Sequence, residues 1–142
     1  MKIFRTLIIS FIMFFCAVLT PLAAAQCLVL GQSYTATVDL RSGNKTKTVV
    51  AGKSIQGTPG NQSFDPDCAG RCGAGCGSDN GQGNYAMDCL THDVCTFYDK
   101  KYGGIFDRDC GDEFRAAVDD TVTVGQSACF VSEEEYAQWE ND

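Results

Sequence analysis

Eight cysteines spread between Cys27 and Cys129 constrain this chain more than any other feature. In an oxidising compartment an even set closes into disulfides, here four. Each typically contributes roughly 2–4 kcal/mol, comparable to the net stability of a small domain. The first 25 residues supply the route to that compartment. Lys2 and Arg5 precede an apolar run over 7–19, and Ala23-Ala24-Ala25 follows. Charged start, apolar middle and small-residue exit describe a secretory signal peptide, so residues 1–25 are expected to be removed and the product secreted. A membrane-spanning helix needs about 18 or more apolar residues.

The remaining chain, 26–142, reads as one domain. Its aliphatic content is thin, which makes the disulfide frame necessary. The full chain carries 18 acidic and 11 basic residues, a net charge of −7. Losing Lys2 and Arg5 makes it more acidic still. Nucleic-acid binding needs basic surface and is excluded. Docking driven by the charge of anionic lipid is disfavoured for the same reason.

Residues 34–40 and 45–50 are rich in Thr, Val and Tyr and flank Ser42-Gly43-Asn44. That pattern predicts a hairpin. Residues 51–67 hold Gly52, Gly57, Pro59, Gly60 and Pro66 and read as loop. The glycine-rich stretch 70–83 is expected to form no regular element. Over 84–102 the period becomes helical: Leu90, Val94, Phe97 and Lys101 share one side, and Cys89, His92 and Thr96 another, with Asp93 beside it. Gly103-Gly104 predicts the stop. A second helix is predicted over 109–124, with Phe114, Ala117, Val118, Thr121 and Val122 as its apolar line. The short link predicts that the two helices run antiparallel. The tail 130–142, with Glu133-Glu134-Glu135, is expected to be exposed, with Trp139 its only large anchor. Asn44-Lys45-Thr46 and Asn61-Gln62-Ser63 are glycosylation triplets, meaningful only in a eukaryotic source.

The chemistry concentrates around His92, the single histidine. It lies in Asp88-Cys89-Leu90-Thr91-His92-Asp93-Val94-Cys95, with a cysteine three residues to either side. Two disulfides there would clamp the helix around the imidazole. Upstream lies Arg71-Cys72-Gly73-Ala74-Gly75-Cys76-Gly77. Alternating glycines let a loop turn its carbonyls toward one point, and carbonyls with a carboxylate suit Ca²⁺.

From Cys68 to about Ala117 these residues resemble the secreted phospholipase A2 superfamily. Arg71 to Cys76 lies over the family's calcium loop. Cys89, His92, Asp93 and Cys95 match its active-site helix, and Cys110-Gly111-Asp112-Glu113-Phe114 is similar to the start of its second long helix. The sequence departs from the pattern at Asp88, where the family has a second cysteine, and at Cys76 and Thr96. The resemblance implies that carbonyls of Arg71, Gly73 and Gly75 and the carboxylate of Asp93 bind one Ca²⁺. It implies that His92 is general base for a water attacking the sn-2 ester of a phospholipid at a membrane surface or micelle. Asp112, with Asp109 in reserve, would orient the imidazole and fix its tautomer. The pairs Cys72–Cys89 and Cys95–Cys110 are implied as well.

The expected fold is therefore mainly α and disulfide-rich: two antiparallel helices, a glycine-rich calcium loop and a small N-terminal β-hairpin. Residues 26–67 would form the hairpin and loop extension, 68–129 the core and 130–142 an acidic tail. Cys68, Cys72, Cys76, Cys89, His92 and Cys95 could instead bind zinc, but export would oxidise the thiols. The other alternative is a non-catalytic phospholipase-like binding protein or toxin.

Overall fold

The computed structural model describes residues 26–60, 67–73, 81–99, 103–122 and 129–141, with the backbone alone at 119–122. The expected signal peptide, the triplet at Asn61, and Gly75, Cys76 and Lys101 lie outside the described residues.

Strands β1 (Ser33–Leu40) and β2 (Gly43–Val50) pair antiparallel from Ser33↔Val50 to Leu40↔Gly43. Successive side chains of a strand face opposite ways. Ala36, Val38 and Leu40 are accordingly buried, while Thr35, Thr37 and Asp39 face out. On the outer face the hydroxyl pairs Thr35–Thr48 (2.8 Å) and Thr37–Thr46 (2.9 Å) bridge the strands. The turn at Arg41 and Ser42 has no positive φ; Gly43, at φ 104°, makes the left-handed step. The one-to-one register runs unbroken to Leu40↔Gly43, so the two-residue turn is neither primed nor bulged.

A second antiparallel pair joins β3 (Gly83–Asn84) to β4 (Phe130–Val131). The segment from Gly83 to Ala86 is the hub of the fold. Tyr85 donates to the Cys129 carbonyl and accepts from Leu28 N–H, each at 3.0 Å, and single bridges add Cys27↔Ala86 and Arg71↔Tyr85. Cys27–Cys129 closes this hub across a sequence separation of 102. Tyr85 is fully buried and donates to the Gly81 carbonyl at 2.8 Å.

Helix α1 (Met87–Tyr98) follows the hub directly. Leu90, Val94 and Phe97 are buried in one cluster with Ala36, Val38 and Leu40 of the hairpin. The helix ends short of Gly103 because a loop caps it: Gly60 N–H donates to the Phe97 carbonyl at 2.7 Å. A side chain at residue 60 would sit 2.6 Å from the Tyr98 carbonyl, so the approach requires glycine.

Helix α2 (Gly111–Val122) starts two residues later than the sequence suggests. The Asp107 carboxylate accepts from the N–H groups of Asp109 (2.8 Å) and Cys110 (3.2 Å), holding both in a turn before the helix. Contacts between the helices run in opposite directions along them. Cys89 Sγ lies 3.9 Å from the Ala117 carbonyl, His92 meets Phe114, and Cys95 is bonded to Cys110.

Helix α3 (Glu133–Asn141) occupies the tail that was expected to be exposed. Ser132 and Glu135 form a capping box: Ser132 N–H and hydroxyl reach Glu135 Oε2 at 2.8 Å, and Glu135 N–H reaches Ser132 Oγ at 3.2 Å. Bonds from Ser132 backbone and hydroxyl hold the Glu135 carboxyl below its ordinary pKa. Tyr136 is buried, its ring against Trp139 at 5.2 Å and Tyr85 at 6.5 Å. Lys53 Nζ lies 4.4 Å from the Trp139 ring centroid.

The mainly α expectation is thus corrected. The chain forms three short helices and two small antiparallel sheets, and the buried core is shared between them. The two-helix reading failed because the hub and α3 depend on pairings distant in sequence. Among the described residues no helix is long and apolar enough to cross a membrane.

Candidate active site

Two disulfides hold the middle of α1. Cys72–Cys89 ties it to the glycine-rich loop, and Cys95–Cys110 ties it to the turn before α2. These are the two pairs that the resemblance implies. Cys68 is disulfide-bonded too. The thiols that a zinc site would need at Cys68, Cys72, Cys89 and Cys95 are therefore consumed.

His92 is half-buried midway between the two clamps. Its Nε2 lies 2.7 Å from the Gly103 carbonyl oxygen and 3.4 Å from Thr96 Oγ1. A carbonyl only accepts, so Nε2 carries the proton and donates to Gly103. The lone pair then sits on Nδ1, which makes no hydrogen bond among the described residues. The Phe114 ring meets the imidazole edge-on at 5.3 Å and fixes its plane. Gly103 has φ 61°, and a Cβ there would stand 2.4 Å from Thr96 Oγ1. Only glycine can bring its carbonyl to the imidazole in this way.

The carboxylates expected on the imidazole are elsewhere. Asp112 falls in the first turn of α2, its side chain 92% exposed, and pairs with Arg115 at 2.6 Å. The residue that α2 turns toward His92 is Phe114, not Asp112. Asp109 accepts from Arg41 N–H at 3.1 Å and lies 3.7 Å from Arg41 Nε. Neither is hydrogen-bonded to His92, whose partner is a backbone carbonyl.

Asp93 is half-buried, and its Oδ2 accepts from Gly70 N–H at 2.8 Å. That N–H is presented by a tight turn from Cys68 to Arg71, closed by Arg71 N–H on the Cys68 carbonyl at 3.0 Å. Gly70, at φ 86°, takes the position of a type II turn that demands glycine. The Asp93 carboxylate thus sits against the backbone that leads into Arg71 and Gly73. Arg71 donates from Nε to the Gln82 carbonyl at 2.7 Å, which turns its side chain along the loop. Gly73 is exposed with φ 122°. Of the four Ca²⁺ ligands that the resemblance implies, Arg71, Gly73 and Asp93 are described, and Gly75 lies outside the described residues. The donors are all oxygen, which suits a hard cation. A separate group of Asp99, Asp107 and Cys110 has ligand atoms within 4.8 Å of one another, but the Cys110 sulfur is bonded to Cys95.

Fold and site together define a small disulfide-braced α+β domain with one clamped histidine. The chain belongs to the family described as Domain of unknown function (DUF8213), whose profile matches residues 23–140. No curated protein and no solved structure matches the chain.

Proposed function

We propose that this is a secreted, Ca²⁺-dependent phospholipase A2-type esterase in which His92 activates water for attack on the sn-2 ester of a glycerophospholipid. The observation that carries the reading is the bond from His92 Nε2 to the Gly103 carbonyl at 2.7 Å. It holds the tautomer in which Nδ1 keeps its lone pair, as a general base requires. His92 accepts the water's proton at Nδ1 as the water oxygen bonds to the ester carbon, and returns it to the lysophospholipid oxygen as the acyl C–O bond breaks. Gly103 keeps the ring oriented throughout and Phe114 shields one edge. Asp93, with the carbonyls of Arg71, Gly73 and Gly75, would hold Ca²⁺, which when bound polarises the ester carbonyl and offsets the charge developing on its oxygen. No serine or cysteine nucleophile is needed. The signal peptide and disulfide frame support secretion.

One observation favours a non-catalytic lipid-binding reading: a neutral carbonyl, not a carboxylate, partners the imidazole. A carbonyl offers less stabilisation to an imidazolium. The two readings separate on fatty-acid release from phosphatidylcholine with Ca²⁺ and with chelator. Release that needs both Ca²⁺ and His92 supports the enzyme; lipid binding without release supports the alternative.

A further inference from the structure

We infer that Ile105 and Phe106 form the tip by which this protein docks on a zwitterionic phospholipid surface. Phe106 is 94% exposed and Ile105 44% exposed, side by side in the turn between α1 and α2. One exposed phenylalanine is ordinary; its position is what matters here. Gly103, two residues before Ile105, carries the carbonyl on His92. The Ile105 carbonyl lies 3.5 Å from Arg115 Nη2 on α2. On that helix Val118, 43% exposed, is one turn beyond Phe114, which touches the imidazole. Exposed apolar side chains therefore stand on both segments that hold His92.

The charges around the tip identify the occupant. They carry both signs: Arg115 pairs with Asp112 at 2.6 Å and Arg41 with Asp109 at 3.7 Å. Arg108 is exposed, and Asp107, next to Phe106, is half-buried with its carboxylate on the Asp109 and Cys110 N–H groups. Guanidiniums suit lipid phosphates, and carboxylates suit the quaternary ammonium of a choline head group. A mixed collar on a chain of net charge −7 supplies no attraction to an anionic bilayer. Attachment must come from insertion of the apolar tip among neutral head groups. This names the surface on which the proposed esterase would act, and it rests on that reading only for the chemistry that follows docking.

Binding is measured without turnover, by sedimenting the full chain with phosphatidylcholine vesicles in chelator, using wild type and His92→Gln. Phe106→Ala should weaken partitioning about tenfold, the loss expected when one buried phenylalanine is truncated. Its melting temperature should not move, because the side chain is exposed. Phosphatidylserine in the vesicles should not strengthen binding, nor should added salt weaken it. Unchanged partitioning of Phe106→Ala, or binding that rises with anionic lipid, would overturn the proposal. So would lipid-free self-association abolished by Phe106→Ala, which assigns the tip to a second copy of the chain. If binding requires Phe106 but wild type releases no fatty acid, the docking surface stands and the esterase reading fails. If Phe106→Ala hydrolyses vesicles at the wild-type rate, the reverse holds.

Discussion

His92 Nε2 and the Gly103 carbonyl oxygen are 2.7 Å apart, eleven positions separated in sequence. The imidazole of this chain is held by backbone, and the backbone can reach it only through a glycine. Gly103→Ala places a methyl 2.4 Å from Thr96 Oγ1 and costs about 1–2 kcal/mol for the left-handed conformation. Fatty-acid release should fall at least tenfold. The pair Thr96→Ala with Gly103→Ala relieves the contact and should recover part of the rate. A Gly103→Ala variant with full activity would show that the carbonyl does not position His92.

Cys95–Cys110 closes the loop that carries Gly103, with a sequence separation of 15. A loop of that length is worth about 3 kcal/mol in the denatured ensemble. Replacing both cysteines with alanine should lower stability by roughly that amount in a denaturant titration. It should also reduce esterase activity more than removal of Cys27–Cys129, which closes the strand hub and not the loop that carries Gly103.

Asp93→Asn should keep the fold, because the amide oxygen can still accept from Gly70 N–H. It removes the only charged ligand of the proposed Ca²⁺ site, the others being neutral carbonyls. Wild-type binding in the extracellular range of about 10⁻⁴–10⁻³ M should weaken sharply in calorimetric titration. Mg²⁺ should not restore activity, because it tolerates irregular oxygen sites poorly. Equal Ca²⁺ affinities would leave Asp93 as a turn-capping acid and nothing more.

Two tyrosines give the fold an alkaline limit. Burial raises the Tyr85 phenol, with the Tyr136 phenol and Asp93 adding to it and Arg71 opposing. Burial also raises Tyr136, with Glu140 and Asp67 contributing. Both stay protonated when folded at a pH where the unfolded chain ionises. Their contribution is complete below the ordinary tyrosine value of about 10 and falls as pH rises through the folded values. Melting temperature should therefore drop above about pH 10. The drop should be smaller in Tyr85→Phe, which cannot ionise but loses its bond to the Gly81 carbonyl.

The parts of this fold that were legible in sequence are local. The hairpin shows in its Thr, Val and Tyr content on either side of Ser42-Gly43-Asn44, and α1 in the spacing of Leu90, Val94 and Phe97, all buried. Helix α3 was missed although Ser132 and Glu135 carry a capping-box signature, because Glu133, Glu134 and Glu135 together read as solvated tail. Tyr136 is buried against Gly81, and Trp139 is half-buried against Gly52 and Gly31; the three glycines come from three distant turns. The site divided in the same way. His92 and Asp93 declared themselves by residue type and neighbours. The Gly103 carbonyl did not, since any residue has one, and only the closed loop and its φ of 61° bring this one to the ring. Asp112 was expected from the resemblance; the register of α2 leaves it exposed in the first turn and turns Phe114 to the imidazole.

The central claim is tested most directly by fatty-acid release from phosphatidylcholine vesicles by wild type and His92→Gln, each with Ca²⁺ and with chelator. Wild type should hydrolyse the sn-2 ester with Ca²⁺ and stop in chelator. His92→Gln should keep its fold by circular dichroism and lose at least the general-base factor of about 10²-fold. Equal release by folded His92→Gln, or no Ca²⁺-dependent release by wild type, would contradict the account.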